Sequence, residues 1–351
     1  MALRPKSERV TIRTVAEDAG VSVAAVSKVL RDAYGVSEAL RGKVQASMLK
    51  LGYRPHAAAR GMRGQTYTLG FLIPDLHNPF FADIMAGVNT ALERTQYQTL
   101  LGVSDSARTM ERAIVDNMID RRMDGLMIIG PRMSAEEVTQ ISEQVPLVLI
   151  AYHARGNTSF DTVNNDDQHG AALVVQHLVA AGYKHIAYIS QALEDPQQVM
   201  VTTQREIGFR KAMQQEGLSR YLQVVPAPQT SRELQGITRH LLQSRNRPEA
   251  IFCWTDFVAL EVLSVARELG LSVPGDLAVV GYDNTGYCDL AQNALTSIDQ
   301  SGQVLGLQAA RLLIERIKGR EQAEHFVVTP RLVARGSSRP IPAAQRAKTP
   351  S

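Results

Sequence analysis

Residues 11–55 read "TIRTVAEDAGVSVAAVSKVLRDAYGVSEALRGKVQASMLKLGYRP", and their punctuation decides the N-terminal fold. Apolar Ile12, Val15, Ala16 and Ala19 recur at helical spacing, and Gly20 closes that stripe as a C-terminal cap. Two starts fit equally: Thr11, or Thr14, which stands three residues before Glu17 as a capping box requires. Ser22 caps a second helix whose Val26, Val29 and Leu30 face inward. Ser37 caps a third, with Leu40, Val44, Met48 and Leu51 at helical spacing, and Gly52 stops it. A helix, the tight turn Gly20–Val21–Ser22 and a second helix make a helix-turn-helix.

In that motif the second helix enters the major groove of duplex DNA, its N-terminal residues nearest the base edges. Here those residues are Ser22, Val23, Ala24, Ser27 and Lys28. Small apolar side chains at that place contact a thymine methyl, and a lysine donates to guanine O6 and N7. Thr11, Ser22, Arg31 and Tyr53 read as phosphate contacts that set register. The rival reading is a small helical domain with an ordinary surface. Charge bears on the choice: residues 1–65 hold 12 Lys and Arg against 5 Asp and Glu, while the whole chain is only +3. A basic head on a mildly acidic body points to a polyanion, or else to a solvated charged face.

Beyond residue 66 short apolar runs alternate with amphipathic helices: 68–75, 99–105, 125–130, 146–152, 185–190, 250–256 and 277–283. Continuous apolar strands separated by helices predict an α/β body of doubly wound parallel sheets, here two similar lobes in tandem. Ligands of open α/β sheets bind beyond the carboxyl ends of the strands. Those ends carry Asp75, Ser104, Asp105, Tyr152, Thr255, Asp256 and Asp283. No glycine loop that cradles phosphate follows any of the runs, so no nucleotide cofactor is expected. His169 and His177 lie two helical turns apart, too far to share a metal, and no nucleophile arrangement is visible. An enzyme is therefore not expected.

"TVAEDAGVSVAAVSKVL", "VSEALRGKV" and "LGYRP" together resemble the headpiece of the lac-repressor (LacI/GalR) family of bacterial regulators, and the resemblance runs to about residue 338. It implies a headpiece over residues 1–55, a hinge helix over 56–66 and an effector-binding domain over 67–340, with a disordered tail at 341–351. The domain would share the periplasmic-sugar-receptor fold, one subdomain spanning about 67–165 and 296–324, the other about 166–295 and 325–340. "NPFFADIMAGV" (78–88) matches the segment where that fold sets aromatic rings against a sugar, which puts Phe80 and Phe81 there; two adjacent phenylalanines are otherwise core. "QREIGF" supplies Arg205, "GYDN" supplies Asp283 and "SIDQ" supplies Gln300 as contacts to effector hydroxyls. The strand ends Asp75, Tyr152 and Thr255 complete the expected set. Thr255–Asp256 stands where the family usually reads asparagine–aspartate, and Ala151–Tyr152 where it carries a charged pair. The effector is thus open between a sugar or sugar acid and a purine.

In the hinge, "HAAARGMRGQ" (56–65), the resemblance implies that Met62 enters a base step of the minor groove while Arg60 and Arg63 hold phosphates. Gly61 works against a helix there, and a linker that never folds is the alternative. The tail lacks a leucine heptad, so the expectation is a homodimer on a roughly palindromic operator. Two cysteines, Cys253 and Cys288, and the absence of long apolar runs or a leader point to the cytoplasm and to no membrane partner. A periplasmic transport receptor is the competing function, and the helix-turn-helix argues against it.

Overall fold

The computed structural model describes residues 10–30, 33–53, 65–154, 156–191, 200–228 and 230–338. The chain divides into two compact units, one of residues 1–68 with Asp120–Asp124, the other of Leu69–Ile119 with residues 125–351. Residues 56–64 of the expected hinge and the whole expected tail, with Arg31, Arg60, Met62 and Arg63, lie outside the described residues.

The first unit is three helices: α1 (Ile12–Asp18), α2 (Val23–Leu30) and α3 (Glu38–Leu51). Thr11, not Thr14, is the first cap: its hydroxyl accepts the Thr14 amide while Thr14 Oγ1 accepts the Thr11 amide at 3.3 Å. Gly20 takes the turn at φ +66°, which costs a side-chain-bearing residue strain. Ser22 Oγ then accepts the Ala25 amide at 3.1 Å and starts α2. Val15, Ala16, Val26, Val29 and Val44 form the core, and buried Ser47 donates to Val15 O at 3.3 Å, tying α3 to α1. A core of five small side chains is thin, so single losses inside it are costly.

The second unit holds two six-stranded sheets. The first contains β1 (Thr68–Ile73), β2 (Gln98–Val103), β3 (Gly125–Ile129), β4 (Leu147–Ile150), β5 (Asp161–Asn165) and β11 (His325–Val328), ordered β11-β5-β4-β3-β1-β2. The second contains β6 (Ile186–Gln191), β7 (Gln223–Ala227), β8 (Ala250–Cys253), β9 (Ala278–Asp283), β10 (Thr296–Asp299) and β12 (Arg331–Val333), ordered β12-β10-β9-β8-β6-β7. Helices α4 (Phe80–Leu92), α5 (Arg108–Asp120) and α6 (Ala135–Ser142) follow β1, β2 and β3. Helices α7 (Asp167–Ala180), α8 (Val201–Gln215), α9 (Ser231–Gln243) and α10 (Asp256–Glu268) serve the second lobe, and α11 (Gly302–Ile317) returns to the first.

Two of the three expected crossover points are corrected. Residues 296–299 pair in parallel with β9, Thr296 opposite Val280, so that strand belongs to the second lobe and not the first. Residues 325–328 pair with β5, His325 opposite Thr162, so they belong to the first. The chain therefore crosses after β5, after β10 and between β11 and β12. What fixes the second crossing is α11, which lies against α4 at their glycines. A Cβ on Gly306 would run into Ile84 O, and one on Gly87 into Gln303 O.

Candidate functional site

The carboxyl ends of both sheets face one cleft of about 120 Å³ between the lobes. From the first lobe come the loop after β1 with Asp75 and Asn78, the start of α4 with Phe80 and Phe81, Arg132 after β3, and Asn165 at the end of β5. From the second come Asp167, Arg205, Trp254, Thr255 and Asp283, with Gln300 at the crossing into α11.

Arg205 organises the floor. It is buried, yet its Nε donates to Asp167 Oδ1 at 2.8 Å, Nη1 to Trp254 O at 2.6 Å and Nη2 to Gln300 Oε1 at 3.2 Å. Its guanidinium also lies 3.7 Å from the centre of the Tyr282 ring. Burial opposes its charge, but the Asp167 carboxylate outweighs that and holds it cationic. His153 Nε2 stands 2.9 Å from the other Asp167 oxygen.

Asp283 projects from a strained corner, with φ +113° at Asp283 and +52° at Asn284. Asp256 pins that corner from beneath: it accepts the Thr285 amide at 2.7 Å, the Cys288 thiol at 3.1 Å and the Ser297 hydroxyl at 2.5 Å. Asp256 is thus a support for the loop, not part of the cleft wall. Asp283 itself accepts Asn78 Nδ2 at 2.8 Å, a bond from one lobe to the other, and Gln300 Nε2. Burial pushes its carboxyl up to about 8, against the pull of Arg205. A folded-state value raised this far favours the neutral form, so the stability it contributes is complete below about pH 4 and is lost as pH rises through 8. Asp283→Asn removes that titration. Melting at pH 5, 7 and 9 should show the variant gaining on the parent as pH rises.

Seven of the eight expected effector contacts border this cleft: Asp75, Phe80, Phe81, Arg205, Thr255, Asp283 and Gln300. Two are engaged locally. Asp75 Oδ1 accepts the His77 and Asn78 amides, and the Thr255 hydroxyl accepts the Val258 amide as the cap of α10. Phe80 is buried against the start of α11, where its ring meets Gly302, while Phe81 is half-buried. Tyr152 is the exception. Ala151 at φ +59° turns the chain, Asn164 binds both the amide and the carbonyl of Tyr152, and its ring packs on Phe160 over a separate hollow. Asn78, Arg132, Asn165, Asp167 and Trp254 were not foreseen. Asn165 ends and Asp167 follows a strand, "DTVNN", too polar to be recognised as one.

On the first unit, Thr11, Ser22, Val23, Ala24 and Lys28 are exposed, and Val23 keeps 41 % of its surface open, with no core to fill. Ser27 is corrected: it is buried beside Val26, facing into the three-helix packing instead of outward. Tyr53 is half-buried on the head core, its ring partly used in packing.

Comparison with known proteins agrees with both units. Residues 11–56 match bacterial regulatory proteins of the lacI family, and residues 175–338 match a periplasmic binding protein-like domain. Catabolite control protein A of Priestia megaterium is 33 % identical over 306 residues, covering 87 % of this chain and 91 % of that protein. The chain belongs to the lacI family of bacterial regulatory proteins. It is accordingly a DNA-binding transcriptional regulator with an effector-binding domain. The structure of the transcriptional regulator CelR in complex with cellobiose has a TM-score of 0.68 and 26 % identity, covering 94 % of this chain and 100 % of that one. The lac repressor dimer bound to operator and the anti-inducer ONPF shares the fold, with a TM-score of 0.80 at 24 % identity over 94 % of this chain and 99 % of that one. No helix among the described residues is long and apolar enough to cross a membrane.

Proposed function

We propose that this protein is a cytoplasmic, non-enzymatic repressor that grips a palindromic operator as a homodimer and is controlled by a hydroxylated small molecule in its interlobe cleft. The observation that carries the effector reading is the buried chain Asp283–Gln300–Arg205–Asp167. It sets two carboxyls, one carboxamide and one fixed guanidinium at the meeting of the lobes. Hydroxyl groups satisfy such a set in either direction, and Phe81 offers an aromatic face to a sugar ring. The bound cellobiose of the CelR structure supports a carbohydrate or sugar acid. An effector changes operator affinity only by its differential affinity for the two states of the regulator.

On the DNA side, Val23 and Ala24 meet thymine methyls, Lys28 donates to guanine, and Thr11, Ser22 and Tyr53 contact phosphates. Half-exposed Leu100 and Leu101 on edge strand β2, which an unaccompanied sheet edge would leave in water, favour a dimer. Thermal-shift screening against sugars, sugar acids and nucleobases, followed by operator binding with each hit, tests the effector reading. Lys28→Ala tests the reading head: it should erase about 1–3 kcal/mol of discrimination at one base position. Competition with point-substituted operators measures this, and unchanged discrimination at every position would remove Lys28 from the interface.

A further inference from the structure

One carboxylate holds the chain where it leaves the expected hinge, whose last residue is Thr66. Asp124 Oδ1 accepts the Thr66 amide at 2.7 Å and the Thr66 hydroxyl at 2.8 Å. Asp124 Oδ2 accepts the next amide, that of Tyr67, at 2.8 Å. The Asp124 amide in turn donates to Thr68 O at 2.9 Å. Thr66 is buried, and its hydroxyl oxygen also accepts the Thr68 amide at 3.3 Å, while the Thr68 hydroxyl donates to Thr66 O at 3.2 Å. Tyr67 stands at φ +53°, a left-handed turn that an aromatic residue adopts only where its surroundings hold it. Thr66, Tyr67, Thr68 and Asp124 all belong to the first unit. The residues that follow them, Leu69 and Gly125, belong to the second, where they open the parallel pairing of β1 with β3.

We propose that Asp124 is a positioning residue for regulation, a clamp that makes the end of the hinge turn with the first lobe. A chain that merely passed from Thr68 into β1 would transmit little direction, because every residue leaves two soft dihedrals free. Bonds to two consecutive amides, each strengthened by the carboxylate charge, take that freedom from Thr66 and Tyr67. The Thr66 hydroxyl is the second half of the clamp, since it alone bonds both Asp124 and the Thr68 amide. β1 and β3 are neighbouring strands of the first sheet, so a movement of that lobe reaches the hinge as a rotation instead of dissipating in a loose joint. The inference rests on the reading that the arrangement of the lobes sets operator affinity, and it names the joint that delivers that arrangement.

A double-mutant cycle on operator binding by the full-length protein tests this without any added ligand. The operator is the sequence recovered by selection from random duplexes. Asn78→Ala removes the bond to Asp283 that runs from one lobe to the other, and so shifts the balance between lobe arrangements. In the parent it should change operator affinity by about fivefold or more, and in Asp124→Ala that change should shrink to about twofold or less. A carboxylate that only starts β3 would behave otherwise: its loss would lower melting temperature and operator affinity alike in both backgrounds and leave the Asn78 ratio intact. Thr66→Val should uncouple as Asp124→Ala does, and the two together no further, while Thr66→Ser should restore the coupling. Thr66→Val carries the test if Asp124→Ala does not melt cooperatively. An Asn78→Ala effect undiminished in these backgrounds would overturn the inference and leave control by the lobes standing. An operator affinity that ignores Asn78→Ala in the parent would bring down control by the lobes, and this inference with it.

Discussion

Arg205→Met should cost about 3–5 kcal/mol of stability, because it strands Asp167 as a buried carboxylate without its cation. The same change releases Gln300 Oε1 and the carbonyl of Trp254, so the floor of the cleft loses its fixed directions as well. Urea unfolding measures the first effect, and effector binding, which should vanish, measures the second. The double variant Arg205→Met/Asp167→Asn separates charge from packing. If the stranded charge dominates, the double variant is more stable than the single one, though its effector binding stays lost. A single variant as stable as the parent would mean that the pair is not buried as described.

Gly306→Val should be as damaging, for a steric reason. Helices α4 and α11 meet at Gly87 and Gly306, each facing a backbone carbonyl of the other helix. A Cβ there cannot be absorbed by a side-chain rotation, since the obstacle is main chain, and the helices must separate. Overpacking usually costs about 1–3 kcal/mol, and a backbone obstacle puts this case at or above the upper end. Because α4 begins with Phe80 and Phe81 on the cleft wall, separation also moves the site. Gly306→Ala should therefore already weaken effector binding, by tenfold or more on the scale of a 1.4 kcal/mol loss. Calorimetric melting and effector titration of the two variants check both statements, and a Gly306→Val protein with parental melting would refute the close crossing.

The head was legible almost residue by residue, because its signals are local: Gly20, Ser22, Ser37 and Gly52 each act on backbone groups within a few positions. Only the choice between Thr11 and Thr14, and the inward turn of Ser27, needed the packed structure. In the body, strands buried on both faces announced themselves as apolar runs such as "GLMII" and "AVVGYD". Strands β5 and β10 did not. "DTVNN" and "TSID" are polar sequences whose side chains are buried through specific bonds, as when Asp161 takes Arg320 or Ser297 reaches Asp256. Missing β5 hid Asn165 and Asp167, and misplacing β10 and β11 followed from pairings that depend on partners more than a hundred residues away for β11. Tyr152 lies off this cleft for a different reason: a left-handed Ala151 aims it, and no spacing rule reports that angle.

In the proposed mechanism helix α2 selects one DNA sequence, and a small molecule between the lobes adjusts how tightly. Its most direct test is equilibrium binding of full-length protein to operator sequence recovered by selection from random duplexes, with and without the molecule that raises the melting temperature. The account predicts one roughly palindromic sequence held far above bulk DNA. It also predicts a change in affinity of about 5–150-fold on adding the molecule, the usual range of such couplings, and loss of that change in Asp283→Ala. Recovery of no preferred sequence, or an operator affinity that ignores a molecule bound in the cleft, would contradict it.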